Sequence, residues 1–426
     1  MIQKNSGSCF FATAGKFEIS RKMTHFKYNS FDEAYQAALD ILKPDKRDLQ
    51  HGLELHKKSL VFDAYGFAPN GPGSMDLTAM NDLLSAGALR DEFVHEYEKT
   101  AKVDSVENPE VYQKFTEMWQ RSGVSCIFQN SGEESNNIEI LLHRLGYFTA
   151  LTDRHPEFFN RAANAEDIEK AFLGGKHSLY LTTNGVPLPS RMDSEQHALS
   201  FIEVFQHLGV RMMHLSYNRS NLICGGCAEK NDPGLTYFGE KVIGEMNRTG
   251  VIPDVAHSSN RSAVDAAAVS SKPVVISHAV CAALSSHYRA KSDEAIAAVA
   301  ATGGYIGICA HPPFYQGSGH IDAFLDHIEY AARKFGASAV AIGTDRSNHT
   351  VTMLEDVAFN QRDIFENFWS PQPIDFKASA EHFITTAWTN WPLYTVGLVQ
   401  RGFSDDEIQQ MIGGNVMRVA AETLKR

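Results

Sequence analysis

The sequence predicts an α/β fold, a closed (β/α)8 TIM barrel with an N-terminal extension and C-terminal helices, on three observations. Eight short apolar runs recur along the 426 residues. They are rich in β-branched or aromatic residues and bounded by Gly, Pro, Asn or Ser, as strands buried on both faces of a parallel sheet are. The gaps between them can hold a crossover helix, and no break in the spacing marks a second unit.

In chain order, residues 1–59 form an extension with a polar start and one helix, FDEAYQAALDILK (31–43), stopped by Pro44. Residues 60–426 form the barrel domain with its C-terminal helices. Its strands are LVFDAYGF (60–67), GVSCIFQN (123–130), HSLYLTTN (177–184), VRMMHLSY (210–217), IPDVAH (252–257), PVVISH (273–278), GGYIGICAH (303–311) and AVAIGTD (339–345). Residues 69–120 make a long connection with helical stretches such as SMDLTAMNDLLSAGAL. DEAIAAVAAT (293–302) and IDAFLDHIEYAARKFG (321–336) carry the clearest amphipathic spacing. The aromatic segment 346–376, with its prolines near the end, suits a lid or an oligomer contact at a barrel mouth. The tail from 377 reads as helices, one of them started by Ser404 with Asp405 and Asp406 just inside.

Composition suits a folded enzyme: 43% of residues are hydrophobic and 21% charged, enough for a large core. A formal charge of −12, with no Lys/Arg block and no glycine-rich phosphate loop, argues against nucleic-acid binding. No run reaches the ~18 apolar residues of a membrane span. Six cysteines in so long a chain do not make a disulfide scaffold, so the expected location is the cytoplasm, with an atypical N-terminal leader left open.

Strand C-termini of a barrel surround one cavity, so Asn184, Tyr217, His257, His278, His311 and Asp345 are expected to converge. His257 and His278 close neighbouring strands. Imidazole is the commonest ligand of zinc and similar metals, although a capped core histidine is the alternative for each. Asp345 can bind a metal or accept a proton from metal-bound water; otherwise it caps a helix or pairs with a cation. Cys224 and Cys227, in ICGGCAE, and His311 are rim candidates, with Cys227 the thiolate chosen to complete a metal set.

These motifs carry a resemblance. GVRMMHLSYNRSNL, GLTYFGEKVIGEMNRTGVIPDVAHSS, PVVISHA, RAKSDEAIAAVAATGGYIGI, AVAIGTD and the tail FSDDEIQQMIGGNVMRV are similar to the membrane (renal) dipeptidase family of zinc peptidases. The resemblance covers roughly residues 175–345 and 403–420. It implies an amidohydrolase-type barrel whose two zinc ions activate water to cleave dipeptides with a free C-terminal carboxylate, and a dimeric habit.

Residue by residue, the resemblance places His257 and His278 on the histidines of the second zinc. Asp345 falls on the aspartate near the metal-bound water, and Arg289 on the arginine that grips the substrate carboxylate. The first-strand His-x-Asp of the first zinc falls on Tyr65 and Phe67, the bridging glutamate on Thr183 or Asn184, and the histidine that polarises the substrate carbonyl on Tyr217. The expectation is therefore one zinc, held by His257, His278, Asp345 and Cys227. Asp345 and Tyr217 would be catalytic, and Arg289, Asn184 and Tyr65 would bind a small amide or dipeptide. The other reading is a catalytically silent binding or scaffolding protein. A homodimer is expected in either case.

Overall fold

The computed structural model describes residues 26–28, 30–67, 107–132, 138–346, 351–353 and 376–424, with Asp82 and residues 85–87. Most of the helical stretch expected at 74–89 and most of the 346–376 segment lie outside them.

Strands form where both faces of the chain can be buried. After β1 (Phe26–Tyr28) come β2 (Phe62–Gly66), β3 (Cys126–Asn130), β4 (Phe159–Arg161), β5 (His177–Thr183), β6 (Val210–His214), β7 (Ile252–Asp254), β8 (Ile276–Cys281), β9 (Ala290–Lys291), β10 (Ile306–Ile308), β11 (Val340–Ile342) and β12 (Val351–Met353). One parallel sheet runs β2-β3-β5-β6-β7, and β8-β10-β11 continues in parallel. Two junctions close the ring. Between β7 and β8, Val255 N donates to Val275 O at 2.9 Å and Val275 N to Pro253 O at 3.0 Å. Between β11 and β2, Asp345 N donates to Tyr65 O at 2.9 Å and Phe67 N to Arg346 O at 3.1 Å. The eight strands of the ring are the eight apolar runs of the sequence. β4 and β9 are short additions beside β5 and β8, and β1 pairs antiparallel with β12.

Alternation along each strand sorts the core into two layers. Ile127, Leu179, Met213, Ile276 and Ile342 belong to the cluster that packs with the helices. Phe62, Phe128 and Tyr180 belong to a separate cluster with Met212, Ile252 and Tyr305. Their rings stack with centroids 5.2, 5.3 and 6.1 Å apart, filling the barrel on the side of β2, β3 and β5.

The helices carry the capping chemistry that the sequence suggests. Ser30 and Glu33 form a capping box at Phe31–Leu42, and Ser404 and Glu407 form one at Asp405–Gln409. The N-terminal helices pack on the barrel's flank. Helix Lys46–Lys58 lies so close to helix Trp391–Gln400 that a Cβ at Gly52 would meet Val396 Cα at 2.7 Å. Buried His56 links the two regions, with Nδ1 2.8 Å from Thr395 Oγ1 and Nε2 2.8 Å from Ser122 O. No helix among the described residues is long and apolar enough to cross a membrane.

Candidate metal centre

His257 follows β7 by three residues and His278 lies inside β8. Their Nε2 atoms face each other at 2.9 Å. The far side of each ring is held. His257 Nδ1 lies 2.7 Å from Asn218 Oδ1, and because an amide oxygen only accepts, Nδ1 carries the proton and Nε2 keeps a lone pair. His278 Nδ1 lies 2.8 Å from the Ser277 hydroxyl, which can donate or accept. Backbone packing fixes Ser277: a Cβ at Gly307 or Gly343 would come within 1.9 Å of its carbonyl oxygen. Burial first, then the positive charge of Arg289, keeps both histidines well below the usual imidazole range, so both are neutral near pH 7.

Beneath this pair, His214 on β6 and Asp254 on β7 are fully buried, with Nε2 and Oδ2 2.7 Å apart. Neither atom has another hydrogen-bond partner among the described residues, so the two meet only each other. Asp254 Oδ1 accepts from Ala256 N at 2.9 Å and from Ser277 N at 3.1 Å. Burial raises the pKa of this carboxyl, but attraction to His214 and the bonds from Ser277 outweigh it and the net shift is downward. Donor atoms of His214, Asp254 and His278 lie within 4.8 Å of one another, the one such group among the described residues.

Asp345 sits at the same mouth with φ 53°, and Asn218 has φ 52°. Left-handed backbone is tolerated by Asn and Asp and gathers at functional sites. Burial pushes the Asp345 carboxyl up to about 7 against the pull of Arg289, and the Cys309 thiol contacts its Oδ2 at 3.8 Å. Arg289 is fully buried. Its guanidinium donates to Ala256 O and, at 2.9 Å, to His278 O, while its Nε has no partner among the described residues. Buried Lys291 donates to Ser258 O, and desolvation lowers its pKa to about 8.

The positions that the resemblance assigns to the first zinc hold other chemistry. Tyr65 stacks on His278 with centroids 3.8 Å apart, and its hydroxyl donates to Asn184 Oδ1 at 2.5 Å. Phe67 meets the Tyr65 ring edge-on at 5.9 Å, and Tyr217 stacks on His257 at 4.1 Å. The Cys227 thiol bonds Asn218 Oδ1 at 3.2 Å, on the Nδ1 side of His257 and away from the paired Nε2 atoms. Cys224 is buried against Ser216 and Ser258 at 3.4 and 3.5 Å. His311 packs against Phe314 and Phe383 with centroids 4.5 and 5.2 Å away.

The two Nε2 atoms are hydrogen-bonded at 2.9 Å, His278 donating to His257, and a metal would displace that proton to be held by both nitrogens. Two imidazoles on a tetrahedral zinc would stand about 3.3 Å apart, so this pair fits. Phe67 offers hydrocarbon and Asn184 an amide, and neither replaces a carboxylate. Sequence reasoning passed over Asn218, Asp254 and His214. No alternation in VRMMHLSY marks His214 as inward, because Met212 and Met213 are both buried.

A family model described as membrane dipeptidase (peptidase family M19) matches residues 86–367. Dipeptidase verJ of Clonostachys rogersoniana is 24% identical over 289 residues, 66% of this chain and 65% of its own length. Dipeptidase tcpJ of Claviceps purpurea is 25% identical over 269 residues, 61% of this chain and 54% of its own length. The chain thus spans less than two thirds of these relatives. Among solved structures, an amidohydrolase from Pseudomonas aeruginosa superposes with a TM-score of 0.62 at 22% identity, covering 88% of this chain and 99% of its own. A metallopeptidase from Rhodobacter sphaeroides, liganded with a phosphinate mimic of the dipeptide L-Ala-D-Ala, gives 0.60 at 14%, covering 86% and 100%. At such identities the likeness speaks for the barrel fold.

Proposed function

This chain belongs to the membrane dipeptidase family, and from that membership we propose a metal-dependent hydrolase that cleaves an amide bond in a small, dipeptide-like substrate with a free carboxylate, using one zinc ion. One observation carries the proposal. Two neutral imidazoles present Nε2 to each other at 2.9 Å while Asn218 and Ser277 hold their Nδ1 atoms, as outer partners hold metal-binding histidines. A zinc ion there would polarise the scissile carbonyl and acidify a bound water.

The protein's own groups do the rest. Asp345, at the end of β11, takes the proton released on attack and returns it to the leaving amine. Arg289 supplies the buried positive charge that draws the substrate carboxylate, for which its unpartnered Nε is available. Tyr217, stacked on His257, steadies the developing oxyanion, and the Tyr65–Asn184 pair lines the opposite wall. Cys227, turned to Asn218, supports His257 through that amide. The working unit is a homodimer, which light scattering of the purified chain would test.

A second reading, a silent binding or scaffolding protein, draws on a different observation: Arg289 already spends donors on two backbone carbonyls. A panel of dipeptides and N-acyl amino acids with added zinc separates the two. Turnover that disappears in His257→Ala supports the hydrolase. Zinc binding without turnover on any member supports the silent protein.

A further inference from the structure

The geometry points to a deeper metal site in this chain, in which His214 and Asp254 join His278 around one divalent ion of the zinc class, with the His257 Nε2 beside His278 at 2.9 Å. It rests on the proposal that an ion is bound, and it names ligands that the resemblance does not supply.

Three observations meet here. The rings of His214, His257 and His278 form a near-equilateral triangle, with centroids 4.9, 5.2 and 5.4 Å apart and planes inclined at 58–61°. Imidazoles on one tetrahedral zinc would have centroids about 5.2 Å apart, and of these three rings His214 and His278 also bring a nitrogen within 4.8 Å of the Asp254 carboxylate. Second, His214 Nε2 and Asp254 Oδ2 form an ion pair at 2.7 Å, both are fully buried, and neither atom has any other partner among the described residues. A buried ion pair with no further partners is costly to keep dry, and a cation held between the imidazole nitrogen and the carboxylate oxygen would satisfy both. Third, a donor from each of His214, Asp254 and His278 already lies within 4.8 Å of the others, on neighbouring strands β6, β7 and β8.

The chemistry of the donors narrows the ion. Two imidazoles and one carboxylate suit zinc or a similar transition metal, and not magnesium or calcium, which take oxygen. Asp254 is already oriented, since its Oδ1 is occupied by Ala256 N and Ser277 N while Oδ2 remains for the ion. Asp345 is then released from ligation and serves as the proton carrier alone.

The test is zinc titration of the full-length, chelator-stripped protein by calorimetry, with magnesium as the control. Wild type is expected to take up one zinc and no magnesium. His214→Ala and Asp254→Asn are expected to lose more than about 100-fold in zinc affinity, beyond the 10–100-fold that losing an outer hydrogen-bond partner costs. Asp345→Asn is expected to bind zinc as wild type does. His214→Ala binding like wild type, with Asp345→Asn losing the ion, overturns the deeper cage and leaves the one-zinc hydrolase standing. A wild type that binds no zinc overturns both. Should the two variants fail to fold, anomalous scattering at the zinc edge from zinc-loaded wild-type crystals decides. A peak between His214 and Asp254 supports the cage, and a peak on Asp345 away from His214 contradicts it.

Discussion

The two sides of the barrel share one architecture and differ in chemistry. On the side of β2, β3 and β5, the interior holds Phe62, Phe128 and Tyr180 in a stack, and the rim holds Tyr65 bonded to Asn184. On the side of β6, β7 and β8, Met212 and Ile252 continue that apolar layer, while the rim holds His214, Asp254, His257 and His278, all buried, with Arg289 and Lys291 buried nearby. Strand geometry delivers side chains to the mouth on both sides, but only one side is given donors. The aromatic side also supports the other, since Tyr65 stacks on His278 and Asn184 anchors the Tyr65 hydroxyl. One side is a wall and the other a ligand cage.

The largest expected effect comes from breaking the cage. His257→Ala removes a nitrogen of the proposed site, where an ion would supply several kcal/mol of charge stabilisation, so kcat/KM on the best substrate should fall by about 1000-fold or more. Metal analysis of the same variant should show the zinc gone.

A histidine outside both sides provides the contrast. Burial lowers the His56 pKa to about 4 in the folded state, with the Ser122 carbonyl opposing the shift. Its folded pKa therefore lies below the unfolded value near 6.5. Above 6.5 both states are neutral and stability is complete. As pH falls from 6.5 to 4 the unfolded chain gains a proton that the native chain refuses, which removes about 3 kcal/mol. Urea melts across that range should show the loss in wild type and a smaller slope in His56→Asn. An equal slope in both would assign the loss to other groups.

How far the sequence foretold this layout depends on the length and chemistry of each segment. All eight barrel strands were legible because burial on both faces leaves unbroken apolar runs. β4 and β9 were not, since two or three residues carry no periodicity. His257 and His278 stood out because each ends a β-branched run in a metal-binding side chain. His214 did not, because a strand apolar on both faces shows no alternation from which to read an inward residue, and Tyr217 is the polar residue at that strand's end. Asn218 was hidden for another reason. Its role depends on a left-handed backbone that turns its amide back toward His257, and spacing does not reveal that.

Smaller effects sharpen the comparison. Asn218→Ala frees His257 Nδ1 and should weaken zinc binding 10–100-fold in a competition assay, with little change in melting temperature of the zinc-free protein. Tyr65→Phe strands Asn184 Oδ1 on the neutral side and should cost about 1–2 kcal/mol in urea melts while leaving zinc affinity within a few-fold. A large loss of zinc in Tyr65→Phe would erase the division between wall and cage.

The most direct measurement is the zinc content of the purified full-length protein after equilibration with excess zinc and desalting, paired with the same measurement on His257→Ala. One equivalent in wild type and none in the variant is the predicted result. Two equivalents, which would require donors on the aromatic side, or no zinc in wild type would contradict the account.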